Sequence, residues 1–223
     1  MKLSEADHAR VTAAVTAAEL CTDGEIVTIV ARRSDPYHDV ALHWAVLAML
    51  LVLALLAWRP EMAAAALSSA VDPWSAAPPA GGMFVVALIA VTLAFLAVRA
   101  MLAWTPLRLA LTPASTKSRR VRRQSVALFR AGAEKRTVAA TGVLLYLSLA
   151  ERRAEIVADA AIHDRVTAEV WGEAMAALIV AVRDGRPGDG MADAVTRIGA
   201  VLAEHFPKTA TDTNELPDRL IEL

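Results

Sequence analysis

Gly142–Asp159 reads GVLLYLSLAERRAEIVAD, and the fold follows from it. Gly142–Leu149 is an apolar run broken only by Ser148, the pattern of a strand covered on both faces. Ala150-Glu151-Arg152-Arg153 is a polar turn and Ala154–Asp159 a second run of strand length, so the segment predicts a β-hairpin. Glu25–Arg32, EIVTIVAR, has the same character, a β-branched run opened by Asp23-Gly24. An isolated strand leaves its backbone groups unpaired, so this one must join the hairpin in a common sheet.

What lies between them is apolar on another scale. Ala41–Trp58 (ALHWAVLAMLLVLALLAW) and Met83–Trp104 (MFVVALIAVTLAFLAVRAMLAW) approach or reach the roughly 20 residues an α-helix needs to cross a hydrocarbon core. Both are apolar around the whole circumference, and Trp44, Trp58 and Trp104 sit near the ends, where indoles favour a membrane interface. The composition agrees: 56% of the 223 residues are hydrophobic and the mean hydropathy is +0.43, more apolar than soluble domains. Arg32 and Arg33 precede the first span and Arg108, Lys117, Arg119, Arg120, Arg122 and Arg123 follow the second, whereas the connection 59–82 carries Arg59 alone. By the positive-inside rule both flanks, and with them both termini, are expected in the cytoplasm and 59–82 outside. That connection is small-residue and proline-rich and reads as an external loop, with one interfacial turn at most around Trp74. Arg99 lies close enough to the end of the second span to snorkel to the headgroups.

The remaining segments complete a domain. Ser4 N-caps a helix with Val11, Val15 and Leu20 on a loose apolar face. Ser118–Ala133 predicts a basic helix with Val121, Val126, Leu128 and Phe129 inward. Thr167–Arg183 offers Val170, Trp171, Met175, Leu178, Ile179 and Val182, and Asp189–Phe206 offers Met191, Val195, Ile198, Val201 and Leu202. The stretch TATDTNELPD after Pro207 reads as a solvated tail. The fold class is α/β: a small sheet of about three or four strands flanked by helices on both faces, interrupted by a two-helix transmembrane hairpin. The expected organisation is residues 1–40 for the first helix and strand, 41–104 for the hairpin with spans 41–58 and 83–104, 105–207 for the rest of the domain, and 208–223 for the tail.

Chemical signals are sparse. The formal net charge of -1 and the pI near 6.5 leave no electrostatic footprint for nucleic acid. Cys21 is the sole cysteine, which excludes a disulfide framework, and it is expected to be a small buried thiol. His8, His38, His43, His163 and His205 form no ligand pairing, and no P-loop, GxSxG or GxGxxG motif occurs. His163-Asp164 reads as the polar start of a helix. If the first strand runs parallel to Gly142–Leu149, Asp35 and Asp39 share a rim with Glu151, Arg152 and Arg153, and open α/β sheets bind ligands at such rims. The basic stretch with Lys117, Arg119, Arg120, Arg122 and Arg123 suits anionic lipid, and no aromatic residues interleave it for base stacking.

The segments LSEADHARVTAAVTAAELCTDGEIVTIVARRSDPY, TGVLLYLSLAERRAEIVAD and DGMADAVTRIGAVLAEHFP together resemble the TPM-domain family, known from thylakoid-lumen proteins of photosystem II repair and from many bacterial membrane-associated proteins. The chain is similar to a bacterial subgroup in which membrane spans are inserted after the first strand. The resemblance implies a TPM-like fold, a bacterial inner (plasma) membrane location, and acid phosphatase activity with calcium or another divalent cation. The family pattern has Asp-Asn-Gly before the central strand and Gly-Asp-aromatic before the last helix. Here those stretches are Ala140-Thr141-Gly142 and Gly188-Asp189-Gly190-Met191, so only Gly142, Gly188 and Asp189 carry over. A hard cation needs several oxygen ligands including carboxylates, and the lost aspartate weakens that inference.

Two functional readings stand. The first is a non-enzymatic interaction or scaffolding module on the cytoplasmic face, with membrane lipid and a protein partner as ligands and no assigned catalytic residue. The second is a weak metal-dependent phosphatase acting on phosphomonoesters, with Asp35, Asp39, Glu151 or Asp189 as metal ligands. Convergence of those carboxylates within ligand distance discriminates between them.

Overall fold

The computed structural model describes residues 3–70, 80–132, 141–209 and 218–223. In chain order its elements are α1 (Glu5–Glu19), β1 (Glu25–Ala31), α2 (His38–Trp58), α3 (Pro60–Ala70), α4 (Ala80–Met101), α5 (Thr105–Ala110), α6 (Ala114–Gly132), β2 (Gly142–Ser148), β3 (Arg153–Ala158), α7 (Ala160–His163), α8 (Ala168–Arg183), α9 (Pro187–His205) and β4 (Ile221–Glu222). They divide into two compact units, Met1–Pro36 with Ala114–Leu223, and Tyr37–Pro113.

The first unit is a four-stranded mixed sheet in the order β3-β2-β1-β4. β1 pairs parallel with β2 from Glu25↔Gly142 to Ala31↔Ser148, and β2 pairs antiparallel with β3. The N-terminal strand thus joins the hairpin, as its lone apolar run requires. Side chains of β1 and β2 alternate between two cores, as the two-residue period of a strand dictates. Ile26, Val30, Val143, Leu145 and Leu147 meet α1, α8 and α9 through Val11, Val15, Leu178, Met191, Ile198 and Leu202. Val27, Ile29, Leu144 and Tyr146 meet Val121 and Phe129 of α6. Helices therefore cover both faces, which is why these two strands are continuously apolar. α1 starts with a capping box in which Ser4 and Asp7 satisfy each other's backbone N–H. The Ser4 backbone N–H bonded to Asp7 holds that carboxyl below its ordinary range.

Several expectations need correction. The buried stripe of α6 is Val121, Ser125 and Phe129, spaced one turn apart, and Val126 is only half-buried. Leu20 is 73% exposed because it caps the end of α1, where the chain turns away from the core. Val170 is exposed on the outer side of α8. Cys21 is exposed rather than buried, lying in the turn after α1. Residues 210–217 of the predicted tail lie outside the described residues, but its end is a strand: β4 pairs parallel with β1 at Ile29↔Ile221 and Val30↔Glu222, and the backbone continues the ladder with Leu223 N–H donating to Val30 O at 2.9 Å. An open edge of β1 leaves ladder groups unpaired, and this short segment satisfies them.

In the second unit α2 and α4 pack on each other, with α3 against both. Their 21 and 22 residues make them long and apolar enough to cross a membrane, since ~1.5 Å per residue gives roughly the thickness of a hydrocarbon core. Only 17% and 6% of their apolar windows are buried, unlike core helices of a soluble domain. Leu50, Leu51, Phe84, Leu88 and Leu93 are all exposed. The segment predicted as an external loop begins instead with α3, whose alanine-rich sequence opens on Pro60, a favoured helix start; Trp74 lies outside the described residues. The second long helix ends at Met101, and Trp104 N-caps the unanticipated α5. Tyr37 turns the chain into α2 at φ 53° and is buried with Val40 and Leu109.

Candidate functional site

The parallel pairing of β1 with β2 brings the end of β1 beside the β2–β3 turn, as a ligand rim requires. The ladder runs past both strands, with Leu149 N–H donating to Ala31 O and Ala150 N–H to Arg32 O, each at 3.0 Å. Glu151 turns inward from this rim and is 8% exposed. Its Oε1 accepts the Ser34 backbone N–H at 2.9 Å, and its Oε2 accepts the Ser148 hydroxyl. Ser34 Oγ also shares a 2.9 Å hydrogen bond with the Tyr146 hydroxyl. Burial holds the Tyr146 phenol above its ordinary value, so it stays protonated. Glu151 is thus a clasp between the segment leaving β1 and the turn leaving β2.

Asp35 stands on the same rim and accepts Arg120 Nη1 of α6 at 2.5 Å. Arg122, two residues further along α6, pairs with Glu155 of β3 at 3.1 Å. Two of the five predicted basic-patch residues therefore fasten α6 to the sheet. Arg119 and Arg123 are exposed, as is Arg130 further along, and Lys117 is half-buried. Asp39 lies in the first turn of α2, in the other unit.

Asp189 belongs to a separate cluster where α1 and α9 begin. It accepts Arg10 and lies 3.6 Å from Arg186, while Arg10 also reaches Asp7 at 3.3 Å. Gly188 permits this approach, because a Cβ there would stand 2.2 Å from Asp7 Oδ1. Gly142 starts β2, its N–H donating to Asp159 Oδ2 at 2.9 Å and its carbonyl accepting the Asp159 N–H at 3.0 Å. It sits at the strand end to which α9 delivers its C-terminus, since Asp23 N–H donates to Phe206 O. Gly142 and the Gly188-Asp189 pair therefore occupy opposite ends of the sheet and form no common site.

Of the carboxylates considered as metal ligands, the three in the α/β unit do not converge: Asp35 and Glu151 share a rim but serve different partners, and Asp189 is held by arginines; Asp39 belongs to the other unit. Among the described residues no group of three or more His, Cys, Asp and Glu could hold a metal ion. The donor set thus does not fit the calcium or other divalent cation that the resemblance implies. His163 and Asp164 are exposed at the end of α7 rather than at the start of a helix.

Two features escaped the sequence. Glu19, 8% exposed at the end of α1, accepts the Ile26 N–H through Oε1 at 2.8 Å. Burial first, then the charges of Glu25 and Asp218, push its carboxyl up to about 8. Asp218, which Thr16 Oγ1 reaches at 2.9 Å, belongs to the segment read as a tail, so nothing in the local pattern brought it near Glu19. The second is Arg183, which lines a cleft with Arg152 and Arg153 beside the β2–β3 turn. Its signal was the four-residue spacing from Ile179, which puts both on one stripe of α8.

Comparison with known proteins bears on the fold. The NMR structure of the BA42 protein from the psychrophilic bacterium Bizionia argentinensis superposes on the chain with a TM-score of 0.58 at 16% sequence identity, covering 100% of this chain and 97% of that one. No curated protein matches the sequence. The family model of the TPM domain matches residues 109–201, so the part of the chain that follows the two apolar helices is similar to TPM domains and the α/β fold is shared with BA42.

Proposed function

We propose that this chain is a TPM-like interaction module anchored in a bacterial inner membrane, with its α/β unit and both termini on the cytoplasmic side. On this reading α2 and α4 cross the bilayer, and the α/β unit works at the membrane surface, docking anionic lipid and a protein partner. The observation that carries it is the exposed arginine face of α6, Arg119, Arg123 and Arg130, on a helix that begins within a dozen or so residues of chain after α4. Basic residues next to a membrane helix set its orientation and contribute about 1 kcal/mol each near an anionic leaflet. The rim carboxylates support a structural rather than catalytic role, since Glu151 and Asp35 hold the sheet to its flanking segments.

The test uses the full chain in nanodiscs. An environment-sensitive fluorophore on Arg123→Cys, in a Cys21→Ser background, is expected to shift to the blue in phosphatidylglycerol discs relative to phosphatidylcholine discs, and the shift should shrink when Arg119 and Arg130 become Gln. Identical spectra in both lipids would remove α6 from the membrane surface and overturn the reading.

A further inference from the structure

We propose that the cleft beside the β2–β3 turn is an oxyanion site for a phosphate-bearing ligand, built by Arg152, Arg153 and Arg183. The cleft encloses about 390 Å³ between β3 and α8. Its arginines reach it from three places: Arg152 from the turn, Arg153 from the first position of β3, and Arg183 from the last turn of α8. None of the three is in an ion pair among the described residues. Both carboxylates on the cleft wall are engaged elsewhere, Glu151 with Ser34 and Ser148 and Glu155 with Arg122. Three guanidinium groups therefore line one concavity with two carboxylates, which leaves it a net positive charge that an anion neutralises.

The backbone adds a second observation. Arg152 holds φ 50°, a conformation that costs a non-glycine residue about 1 kcal/mol or more. Glycine would adopt it freely, yet an arginine stands there, and the fold holds its side chain on the cleft wall. Guanidinium forks match phosphate oxygens in pairs, which favours phosphate over a simple halide-like anion. The volume exceeds what a bare phosphate fills, and Ala154 and Ile179 supply an apolar wall for the ligand's body. The ligand class is accordingly a phosphate ester, either a soluble metabolite or a lipid headgroup. The two carboxylates of the lining are held by Ser34 and Ser148 and by Arg122, and the rest of the lining is arginine, alanine and isoleucine, so the proposal is binding and not hydrolysis. It concerns the face of the sheet edge on the α8 side and does not depend on the membrane reading of α6.

The experiment is calorimetric titration of the full chain in a zwitterionic detergent with inorganic pyrophosphate and, separately, with dispersed short-chain phosphatidic acid. Saturable binding is expected with at least one probe. Arg153→Gln with Arg183→Gln should weaken it at least tenfold while leaving the unliganded melting temperature in place. Arg152→Gly, which keeps the turn by suiting its positive φ, should weaken it severalfold. Arg123→Gln on α6 should leave it unchanged. Pyrophosphate binding that responds in this pattern supports a soluble ester, and a response confined to phosphatidic acid supports a headgroup. No saturation with either probe, or binding indifferent to the cleft arginines, overturns the proposal. Equal loss on Arg123→Gln overturns it too, because that marks diffuse attraction to basic surface.

Discussion

Glu19→Gln is expected to stabilise the α/β unit at neutral pH and to flatten its pH dependence. Glu19 is buried, its Oε1 is used by Ile26 N–H, and its Oε2 has no hydrogen-bond partner among the described residues. Burial, followed by Glu25 and Asp218, raises its carboxyl from an ordinary value near 4.5 to about 8. A folded-state pKa above the unfolded one means that stability is complete below about 4.5 and is lost as pH rises toward 8, because the folded chain must keep a proton that the unfolded chain has released. The slope is at most about 1.4 kcal/mol per pH unit, and after allowance for solvent relaxation around the site the loss by pH 7 is roughly 2–3 kcal/mol. Glutamine keeps the acceptor for Ile26 and carries no charge at any pH, so the variant should match the wild type near pH 4 and exceed it by that amount at pH 7. Hydrogen exchange of the β1 amides, corrected for the intrinsic pH dependence of exchange, reads the opening free energy directly at the strand that Glu19 bonds. Equal pH slopes in the two proteins between pH 5 and 8, or a wild type that gains stability over that range, would refute the reasoning.

Other consequences are equally concrete. Thr28 is fully buried with a hydroxyl that has no hydrogen-bond partner among the described residues, so Thr28→Val should raise the unfolding free energy by about 1 kcal/mol, measured by denaturant titration. Gly199 and Gly172 separate close packing from helix propensity. A Cβ at Gly199 would lie 2.5 Å from Ala18 Cβ, so Gly199→Ala should cost about 1–3 kcal/mol by forcing α1 and α9 apart. A Cβ at Gly172 meets nothing within 4 Å, and Gly172→Ala should instead stabilise α8 by about 0.5–1 kcal/mol. Topology is readable through the exposed lone thiol: a membrane-impermeant maleimide should label Cys21 only after cells are opened, and a cysteine placed at exposed Ser68 in intact cells. Labelling of Cys21 in intact cells would invert the proposed orientation.

Local pattern carried much of the fold. The continuous apolar runs of Glu25–Arg32 and Gly142–Leu149 announced strands buried on both sides, and their shared sheet followed from the need to pair backbone groups. Ser4 was legible as a cap because its partner Asp7 is three residues away. The candidate rim was legible in outline, since parallel pairing puts Asp35 and Glu151 at one end, but their employment was not. A carboxylate in a turn has the same sequence signature whether it binds a metal or, like Glu151, accepts Ser34 N–H and the Ser148 hydroxyl. β4 was hidden for a related reason: two strand residues are too few to show a period.

The amino-acid sequence by itself determined that this chain has two helices long and apolar enough for a bilayer and a strand that must find its partners beyond them. These properties depend on the order of apolar residues along the chain, which is fully contained in the sequence. Only the tertiary structure decided that Glu19 lies in the field of Asp218, that Glu155 is answered by Arg122, and that Arg152, Arg153 and Arg183 are left facing one cleft. Those outcomes depend on which residues meet across different elements, and charge and protonation respond to that proximity in space.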